Sequence, residues 1–479
     1  MRRTTLVVWL GACLAAAPAA LAQNAPMSLD VDQAVRLALQ NNPGYKQAQA
    51  GVSLAYAQRA GALVDLLPRL SGSWNYSDAT SSTDLNDQPS EIVTYLDGQL
   101  NPIRTEVTEL TNFKLDSRSK IGNMDLSVTE NISLSQWFNY RSARAAAEAE
   151  LYGEDVAAQR LVYDVREQFY LGLRAEALLQ VQTLDLDLAQ NELRRTQTMF
   201  DLGSVAKADV LKARVRVAEA EVSLIRQANS VNVAHSLLAI QLGMDPTNRF
   251  DLQGDLEISA VELDSLRAME EALVRPDMKQ AEADIRSASA GYTAAKSSRF
   301  PSLFASYSTG LTRGDRSSTN LDGSESYDPV ANTITTTISS RDESGDVQGD
   351  NWSVRVGATV NIDALLNTPR DRVARANLRL AEERKAALRL TVLQEVERAT
   401  LDIRASVSAI GSAEQGVAAA EEDVRLSQER YQQGLGTFLD LLQAQVALTR
   451  ARSTLVDAKT SLKIAEADLE RARGVPVDY

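Results

Sequence analysis

The sequence predicts an α+β membrane fold made of two tandem repeats, each with two strands and two long helices. Three observations lead to this prediction. Motifs from the first half of the chain return in the second half, and four short segments alternate between apolar and polar residues. The C-terminal segment also carries a seven-residue repeat of Leu and Ala, which is typical of long packed helices.

The duplication is visible as paired motifs that keep the same order. "NNPGYKQAQA" at 41–50 returns as "VRPDMKQAEA" at 274–283. "GSVAKADVLKARV" at 203–215 returns as "GLGTFLDLLQAQV" at 434–446. Self-similarity of this kind indicates two copies of one supersecondary unit.

The first 22 residues have the pattern of an export signal. A basic start and an apolar middle end in "ALA" at 20–22, so we expect cleavage before Gln23. The single cysteine, Cys13, lies inside this segment, and "LGAC" is an alternative lipoprotein site that would leave Cys13 lipidated. We assign 1–22 to the signal peptide, 23–247 to the first repeat and 248–479 to the second.

Each repeat is predicted to begin with a short helix, over about 29–40 or 260–273. A second helix opens at Pro43 or Pro276, because Pro suits the first helical turn. The long helices follow the strands, and we place them at about 141–200 with 205–242 and at 371–432 with 437–473.

The last helix carries two columns of residues that recur every seven positions. A strict heptad imposes a left-handed supercoil, in which Leu supplies knobs and Ala lets backbones approach closely. The corresponding helix of the first repeat has a second apolar row beside its column. Two rows fit either a curved wall with a neighbour on each flank or an ordinary bundle, and both readings stay open. The columns are Leu441, Leu448, Leu455, Leu462 and Leu469 with Ala444, Ala451, Ala458, Ala465 and Ala472; the second row is Leu211, Val215, Ala218, Val222 and Ile225.

Four segments alternate with period two, as strands with one apolar face do. We place these strands at about 68–82, 120–137, 301–313 and 351–364. Only Phe304 departs from the pattern, since it falls on the polar side. Any half-exposed antiparallel sheet alternates in this way. Strand length, a small polar face and aromatic residues near strand ends favour a membrane barrel instead; the aromatic residues are Trp74, Tyr76, Trp137, Tyr307 and Trp352.

The segments between the paired strands, about 83–118 and 314–350, are rich in Asp, Glu, Ser, Thr and Asn. We read them as long external loops. Four strands are too few to close a barrel, and lipid does not tolerate open sheet edges. The strand count therefore predicts an oligomer, with each chain supplying a third or a quarter of the barrel.

The sequence shows no set of residues that would form a catalytic or a cofactor-binding site. His235 is the single histidine and lies among apolar residues within a predicted helix, so we expect a packed or a pore-facing surface residue rather than a metal ligand. No phosphate-binding loop or Ser-His-Asp set is present. The formal charge of −14 argues against a nucleic-acid surface. We expect no enzyme activity, no cofactor and no metal.

The order and repetition of these motifs identify a family resemblance. "LDVDQAVRLALQNNP", the proline-bounded helices, and "GSVAKADVLKAR" with its partner "GLGTFLDLLQAQ" resemble the TolC family of outer-membrane efflux proteins. The resemblance covers about Leu29 to Gly474. It implies a homotrimer, with twelve strands forming one outer-membrane barrel and twelve helical strands forming a coiled-coil tube across the periplasm.

The resemblance also implies a passive exit duct of a tripartite efflux or type I secretion system. Its partners would be a periplasmic adaptor, an inner-membrane pump (an RND or an ABC transporter) and outer-membrane lipid. The cargo, either small molecules or polypeptides, is left open. A soluble periplasmic coiled-coil adaptor or scaffold is the alternative, and it explains the heptads but not the alternating strands.

Three groups of residues are the candidate sites. The turns between the long helices resemble the tips that adaptors grip, although glycine there also caps helices; these turns are Gly203, Ser204 and Val205, and Gly434, Leu435 and Gly436. Asp209 resembles a residue that holds neighbouring helices shut, and Asp440 is its match in the second repeat. Three further carboxylates either form an acidic ring in a trimer or are ordinary surface charge; they are Glu421, Glu422 and Asp423.

Overall fold

A computed structural model describes residues 27–256, 264–360 and 368–475 of the chain. The predicted signal peptide, with Cys13, lies outside the described residues. So do the first residues of the predicted helix at 260–273 and the end of the predicted strand at 351–364.

The chain divides into two compact units. The helical unit contains the chain up to Ala55 together with 146–285 and the segment from Leu380 onward. The strand unit contains 56–145 and 286–379.

The order of elements is the same in both halves of the chain, which confirms the α+β fold class. The first half contains β1 (Met27–Asp30), α1 (Val31–Asn41), α2 (Pro43–Val64), β2 (Arg69–Leu96), β3 (Pro102–Ile132), α3 (Leu134–Asp201) and α4 (Lys207–Gln241). The second contains β4 (Phe250–Gln253), α5 (Ser265–Ala272), α6 (Pro276–Ser297), β5 (Ser302–Asp328), β6 (Thr333–Thr359), α7 (Thr368–Gln432) and α8 (Phe438–Arg473). No helix among the described residues combines the length and the apolar composition needed to cross a membrane.

The start of α3 differs from the prediction. β3 ends at Ile132 and the helix begins at Leu134, so Trp137 lies in the first helical turn rather than at a strand end. The hydroxyl of Ser133 accepts a hydrogen bond from the backbone N–H of Gln136 at 3.3 Å, which caps the helix. This cap places the helix start seven residues before the predicted residue 141.

The predicted seam of α8 is confirmed. Four of its five Leu positions and four of its five Ala positions are buried, and Leu455 is partly buried in the same core. Leu462 and Leu469 pack there with Val392, Val396 and Ile403 of α7. The heptad columns therefore hold the two long helices of the second repeat together.

The second apolar row of α4 is exposed in one chain. Leu211, Val215, Val222 and Ile225 each keep about half or more of their surface accessible. In contrast, Val210, Ala213, Ala220 and Leu238 on the neighbouring face are buried. The helix therefore buries one row and presents the other.

The strands extend much further than predicted, so the prediction of long external loops is wrong. β2 pairs with β3 from Arg69↔Thr129 to Leu96↔Pro102, and β5 pairs with β6 over their whole lengths. The turns are short because Asp97 and Asp328 each accept hydrogen bonds from two backbone N–H groups just beyond them. Polar Ser, Thr and Asp suit two-sided exposed hairpins as well as loops, and composition alone does not separate the two.

The four strands also form a ring, which corrects the prediction that they cannot close. β3 pairs with β5 over 117–132 and 303–318, next to the helices. β2 pairs with β6 only over Glu91–Tyr95 and Thr333–Thr337, near the hairpin turns. Closure is possible because the long hairpins reach past the rest of the sheet and meet at their ends.

Candidate functional site: the apolar band and the helical tips

The part of the sheet nearest the helices has one apolar face, formed by rows of side chains that run across all four strands. We call it the apolar band. Most of its large side chains are more than 45% exposed in the single chain. The rows are Leu70–Val128–Tyr307–Val354, Gly72–Leu126–Thr309–Trp352 and Trp74–Met124–Leu311–Asp350.

The dimensions of the band match a bilayer. On β3 it runs from Ile132 to Met124 and includes one carboxylate, Glu130, and a membrane-spanning strand needs about 9–11 residues. Trp74 and Trp352 lie toward its end, where aromatic girdles occur in outer-membrane barrels. The next rows carry Arg313 and then Lys120, so the apolar surface stops where headgroups and water would begin.

The opposite side of the same strands is polar, and we call it the polar face. Its rows are Arg69–Thr129–Ser306–Arg355, Ser71–Ser127–Ser308–Ser353, Ser73–Asp125–Gly310–Asn351 and Asn75–Asn123–Thr312–Gly349. The serine row is linked by hydroxyl contacts of 2.7 Å between Ser71 and Ser127 and of 2.8 Å between Ser308 and Ser353. Small hydroxyl and amide side chains leave room for water beside the sheet, as in a lumen.

The first helical tip is the turn between α3 and α4. Gly203 has φ +77°, a left-handed conformation that favours glycine, and Ser204 N–H donates to the Met199 carbonyl at 2.8 Å. No atom lies within 4 Å of a Cβ placed at Gly203, so the turn has open space around it. Leu202 is 77% exposed beside it.

The second helical tip, between α7 and α8, has the same geometry. Gly434 has φ +73°, and the Leu435 N–H donates to the Arg430 carbonyl at 2.8 Å. Leu435 is exposed to the same degree as Leu202. Gly436 is more constrained, because a Cβ there would lie 3.2 Å from Arg430 Cβ. Each tip thus presents a leucine beside a left-handed glycine.

One hydrophobic cluster joins the helices behind both tips. Its buried members come from α4, α7 and α8, and partly buried side chains from α3 and the first tip pack against them. Its residues are Ala213, Tyr431, Phe438 and Leu441, with Leu193, Met199, Val205 and Leu442 around them. Val205, a predicted tip residue, is therefore part of the packing that positions the tips.

Asp209 lies in the first turn of α4, where its carboxylate is 3.4 Å from Lys212 Nζ. It also lies near Tyr431. Burial raises the pKa of the Tyr431 phenol, and the negative charge of Asp209 raises it further. The Tyr431 hydroxyl is buried, and the neighbouring Thr196 side chain lowers the pKa that burial and Asp209 raise. Sequence reasoning did not select Tyr431, although its position three residues before Gly434 was a usable signal.

Asp440 has a different role. Its carboxylate accepts hydrogen bonds from the Thr437 backbone N–H at 3.0 Å and from the Thr437 hydroxyl at 2.8 Å. The Asp440 N–H in turn donates to the Thr437 hydroxyl, which completes a capping box at the start of α8. The backbone hydrogen bond from Thr437 holds the pKa of Asp440 below its usual value. Within one chain, Asp440 therefore serves its own helix.

The three carboxylates of the predicted acidic ring are partly neutralised within the chain. Glu421 pairs with Arg452 of α8 at 2.8 Å, and Glu422 pairs with Arg425 on its own helix. Among the described residues, the side-chain contact of Asp423 is with the hydroxyl of Ser427 at 3.5 Å. The acidic ring stays a prediction, with Asp423 as its least compensated member.

A buried ionic contact was missed by the sequence reasoning. Asp185 of α3 accepts hydrogen bonds from Arg216 of α4 and from Thr449 of α8, both at 2.6 Å. The side chains of Asp185 and Arg216 are only 4% and 12% exposed. Arg216 and Thr449 lie 31 and 264 residues from Asp185 in the sequence, so no local pattern revealed the contact.

His235 is packed, which decides between the packed and the pore-facing alternatives. Its Nδ1 accepts a hydrogen bond from the Phe250 backbone N–H at 3.4 Å, and its Nε2 lies 2.9 Å from the Glu176 carboxylate. The histidine therefore fastens β4 to α3 and α4.

Comparisons with known proteins agree with this architecture. A family model described as "Outer membrane efflux protein" matches residues 34–243 and 269–475. The solvent efflux pump outer membrane protein SrpC of Pseudomonas putida is 26% identical over 409 residues, which is 81% of this chain and 78% of that protein. The pyoverdine export outer membrane protein OpmQ of Pseudomonas aeruginosa is 26% identical over 344 residues, 70% of this chain and 65% of that protein.

The fold is also that of a solved channel. The crystal structure of the Campylobacter jejuni CmeC outer membrane channel superposes with a TM-score of 0.67 at 17% identity, over 93% of this chain and 85% of that one. The family match covers both halves of the chain and both long helix pairs. The chain therefore belongs to the outer membrane efflux protein family, and it is an outer-membrane exit channel of an efflux system.

Proposed function

We propose that three copies of this chain assemble into one continuous channel, open to the outside through the strands and docked to a pump through the helical tips. The observation that carries this proposal is the apolar band together with the sheet edges beside it. Among the described residues, the backbone of β2 over Arg69–Ser90 does not pair with that of β6 over Ile338–Thr359. Unpaired edges are costly in lipid, and edge-to-edge pairing between copies removes them.

The exposed row of α4 supports the same assembly. Leu211, Val215, Val222 and Ile225 form a stripe at heptad-like spacing that one chain leaves accessible. A groove of about 790 Å³ continues from this stripe toward α8, with Leu439 and Val446 on its other side. Contiguous exposed apolar surface marks an interaction site, and we assign it to the neighbouring copies.

The helical tips are the proposed docking site for a periplasmic adaptor, which would connect the channel to an inner-membrane RND or ABC pump. Gly203 and Gly434 hold the two tips in the same shape, and Leu202 and Leu435 offer an apolar contact at each. A small apolar anchor inserted between partner helices is a common form of recognition in coiled-coil contacts.

Asp209 is the proposed gate residue. Its negative charge acts on the buried Tyr431 phenol of α7, so a change of charge at Asp209 alters the interaction between α4 and α7 behind the tips. Asp440, committed to its helix cap, is the weaker candidate. Opening the channel would require these helices to separate at the tips.

We infer that the cargo is small molecules, because SrpC and OpmQ are named for a solvent efflux pump and for pyoverdine export. Transport of polypeptides is the competing proposal. We propose a passive conduit, in which the pump supplies the energy and this chain supplies the path.

The experiment that tests the proposal is reconstitution of the mature chain. Outer-membrane fractionation followed by planar-bilayer recording should give channels, and the detergent-solubilised protein should migrate differently before and after heating. A mature protein that fractionates as soluble periplasmic material and gives no conductance would return the chain to the adaptor or scaffold alternative.

A further inference from the structure

Phe304 interrupts the polar face, and the structure shows what it does there. It pairs with Gly357 on β6 and with Asn131 on β3. A Cβ placed at Gly357 would lie 2.7 Å from both Cε1 and Cζ of Phe304. The phenyl ring therefore occupies the space above Gly357, and glycine is required for it to lie there.

The next row of the polar face ends in two arginines, Arg69 on β2 and Arg355 on β6. Arg69 is neutralised by Asp65 at 2.6 Å. Arg355 is exposed, and the described part of the chain offers it no ion-pair or hydrogen-bond partner. Its guanidinium is therefore the uncompensated positive group of this row.

Apart from Asp65, which already pairs with Arg69, the nearest carboxylate on the described strands of this face lies too far along the sheet to cancel this charge. Asp125 lies in the row of Asn351, four residues from Arg355 along β6. Four residues of strand span roughly 13 Å. This distance exceeds the screening length of about 8 Å at physiological ionic strength. The row of four serines lies between them.

Phe304 and Arg355 lie diagonally across neighbouring rows of one face, because Phe304 pairs with Gly357 and Ser306 pairs with Arg355. One side of the phenyl ring rests on the Gly357 backbone, and the side chain as a whole is partly buried, so that only part of the ring faces the lumen side. An aromatic ring that stacks on Phe304 would bring an attached acidic group toward the Arg355 guanidinium. Guanidinium groups bind carboxylates and sulfonates through paired hydrogen bonds and keep their charge at any physiological pH.

We propose that Phe304 and Arg355 form a subsite for organic anions that carry an aromatic ring, at the helix-side end of the strand channel. This inference rests on the proposed function, since the polar face lines a lumen only in the assembled channel. In a trimer the subsite would occur three times at one level. Its role would be to favour aromatic acids over cations of the same size as they pass.

The test is block of single-channel current by a defined probe in planar bilayers. 2-Naphthalenesulfonate is added on the strand side, and the concentration that halves the current is measured. Methanesulfonate tests the need for the ring, and 2-naphthylmethylammonium tests the need for the negative charge. We expect the naphthalenesulfonate to block at the lowest concentration of the three.

The variants separate the two parts of the subsite. Arg355→Gln and Phe304→Ser should each raise the half-blocking concentration about two- to fivefold, the range of solvent-exposed ionic contacts. Arg355→Lys should recover part of the loss because it keeps the charge. At 1 M salt the half-blocking concentrations of Arg355→Gln and the wild type should become equal, since the electrostatic screening length is then about 3 Å. The matched control is Arg313→Gln, because Arg313 lies on the opposite face and pairs with Asp350 at 2.8 Å.

The outcomes distinguish this inference from the proposed function. Normal wild-type conductance with equal block by all three probes would overturn the subsite and leave the channel intact. Equal effects of Arg313→Gln and Arg355→Gln would also overturn it. Absence of any conductance from the wild-type chain would instead contradict the proposed function. Heat-modifiable migration of each variant shows that it has assembled.

Discussion

Asp185 and Arg216 form a buried ion pair at 2.6 Å between α3 and α4, and the same carboxylate oxygen accepts the hydroxyl of Thr449 on α8. The contact therefore joins both helix pairs of the chain. Removing one member of a buried pair leaves the other charge without compensation, which costs about 3–5 kcal/mol.

Asp185→Ala should lower the free energy of unfolding by an amount in that range, measured by denaturant unfolding of the detergent-solubilised protein. Asp187→Ala is the matched control, because Asp187 is exposed on the same helix and bonds only Asn191. We expect the control to change stability by less than about 0.5 kcal/mol. Equal effects of the two variants would show that the buried contact contributes nothing.

Glu192 predicts a dependence of stability on pH. Its side chain is 6% exposed, its Oε1 has no partner among the described residues, and burial raises its pKa. The folded state therefore favours the protonated carboxyl. The stability that protonation contributes is lost as the pH rises from the unfolded-state pKa of Glu192 through its raised folded-state pKa. Glu192→Gln should be more stable than the wild type at pH 7.5, and its free energy of unfolding should no longer fall with pH over this range. Chemical denaturation at pH 5 and pH 7.5 measures both, and a Gln variant that keeps the wild-type slope would contradict the assignment.

Asp209→Asn should increase single-channel conductance, because the proposed contact near Tyr431 loses its charge. Tyr431→Phe should act in the same direction, since it removes the phenol on the other helix. Asp440→Asn is the comparison, and it should leave conductance unchanged, because the Asp440 carboxylate serves the cap of its own helix. If Asp440→Asn opens the channel and Asp209→Asn does not, the two roles are reversed.

Gly203→Leu and Gly434→Leu should reduce crosslinking to the adaptor in cells about tenfold. Each places a bulky side chain in open space at the tip, and it also strains a left-handed backbone by about 1–2 kcal/mol. Gly411→Leu is the control, because Gly411 lies within α7 with nothing within 4 Å of a Cβ. Unchanged crosslinking in both tip variants would remove the tips as the docking site.

Much of the fold was predictable because it depends on local periodicity. The Leu and Ala columns of α8 are a sequence pattern with one structural meaning, and they line the buried seam as predicted. The extent of β2 was not predictable, since the Ser- and Asp-rich stretch from 83 suits a loop as well as an exposed hairpin.

Among the candidate-site residues, those within a local sequence pattern were predictable, and those that depend on distant partners were not. The tip glycines were found by their position between two helical patterns, and both have positive φ. Tyr431 and Asp185 act through partners on other helices, which no local spacing reveals. Phe304 was found as an exception to the alternation. The reason for its position became visible only from its pairing with Gly357, which lies more than fifty residues away in the sequence.

The central claim is that one chain is an incomplete part of the channel. Native mass spectrometry of the mature protein, extracted from outer membranes in mild detergent, tests this claim most directly. The account predicts a single species of three chains that gives conductance when reconstituted. A stable, monodisperse single chain under the same conditions would contradict it, because the sheet edges and the exposed row of α4 would then need no second copy.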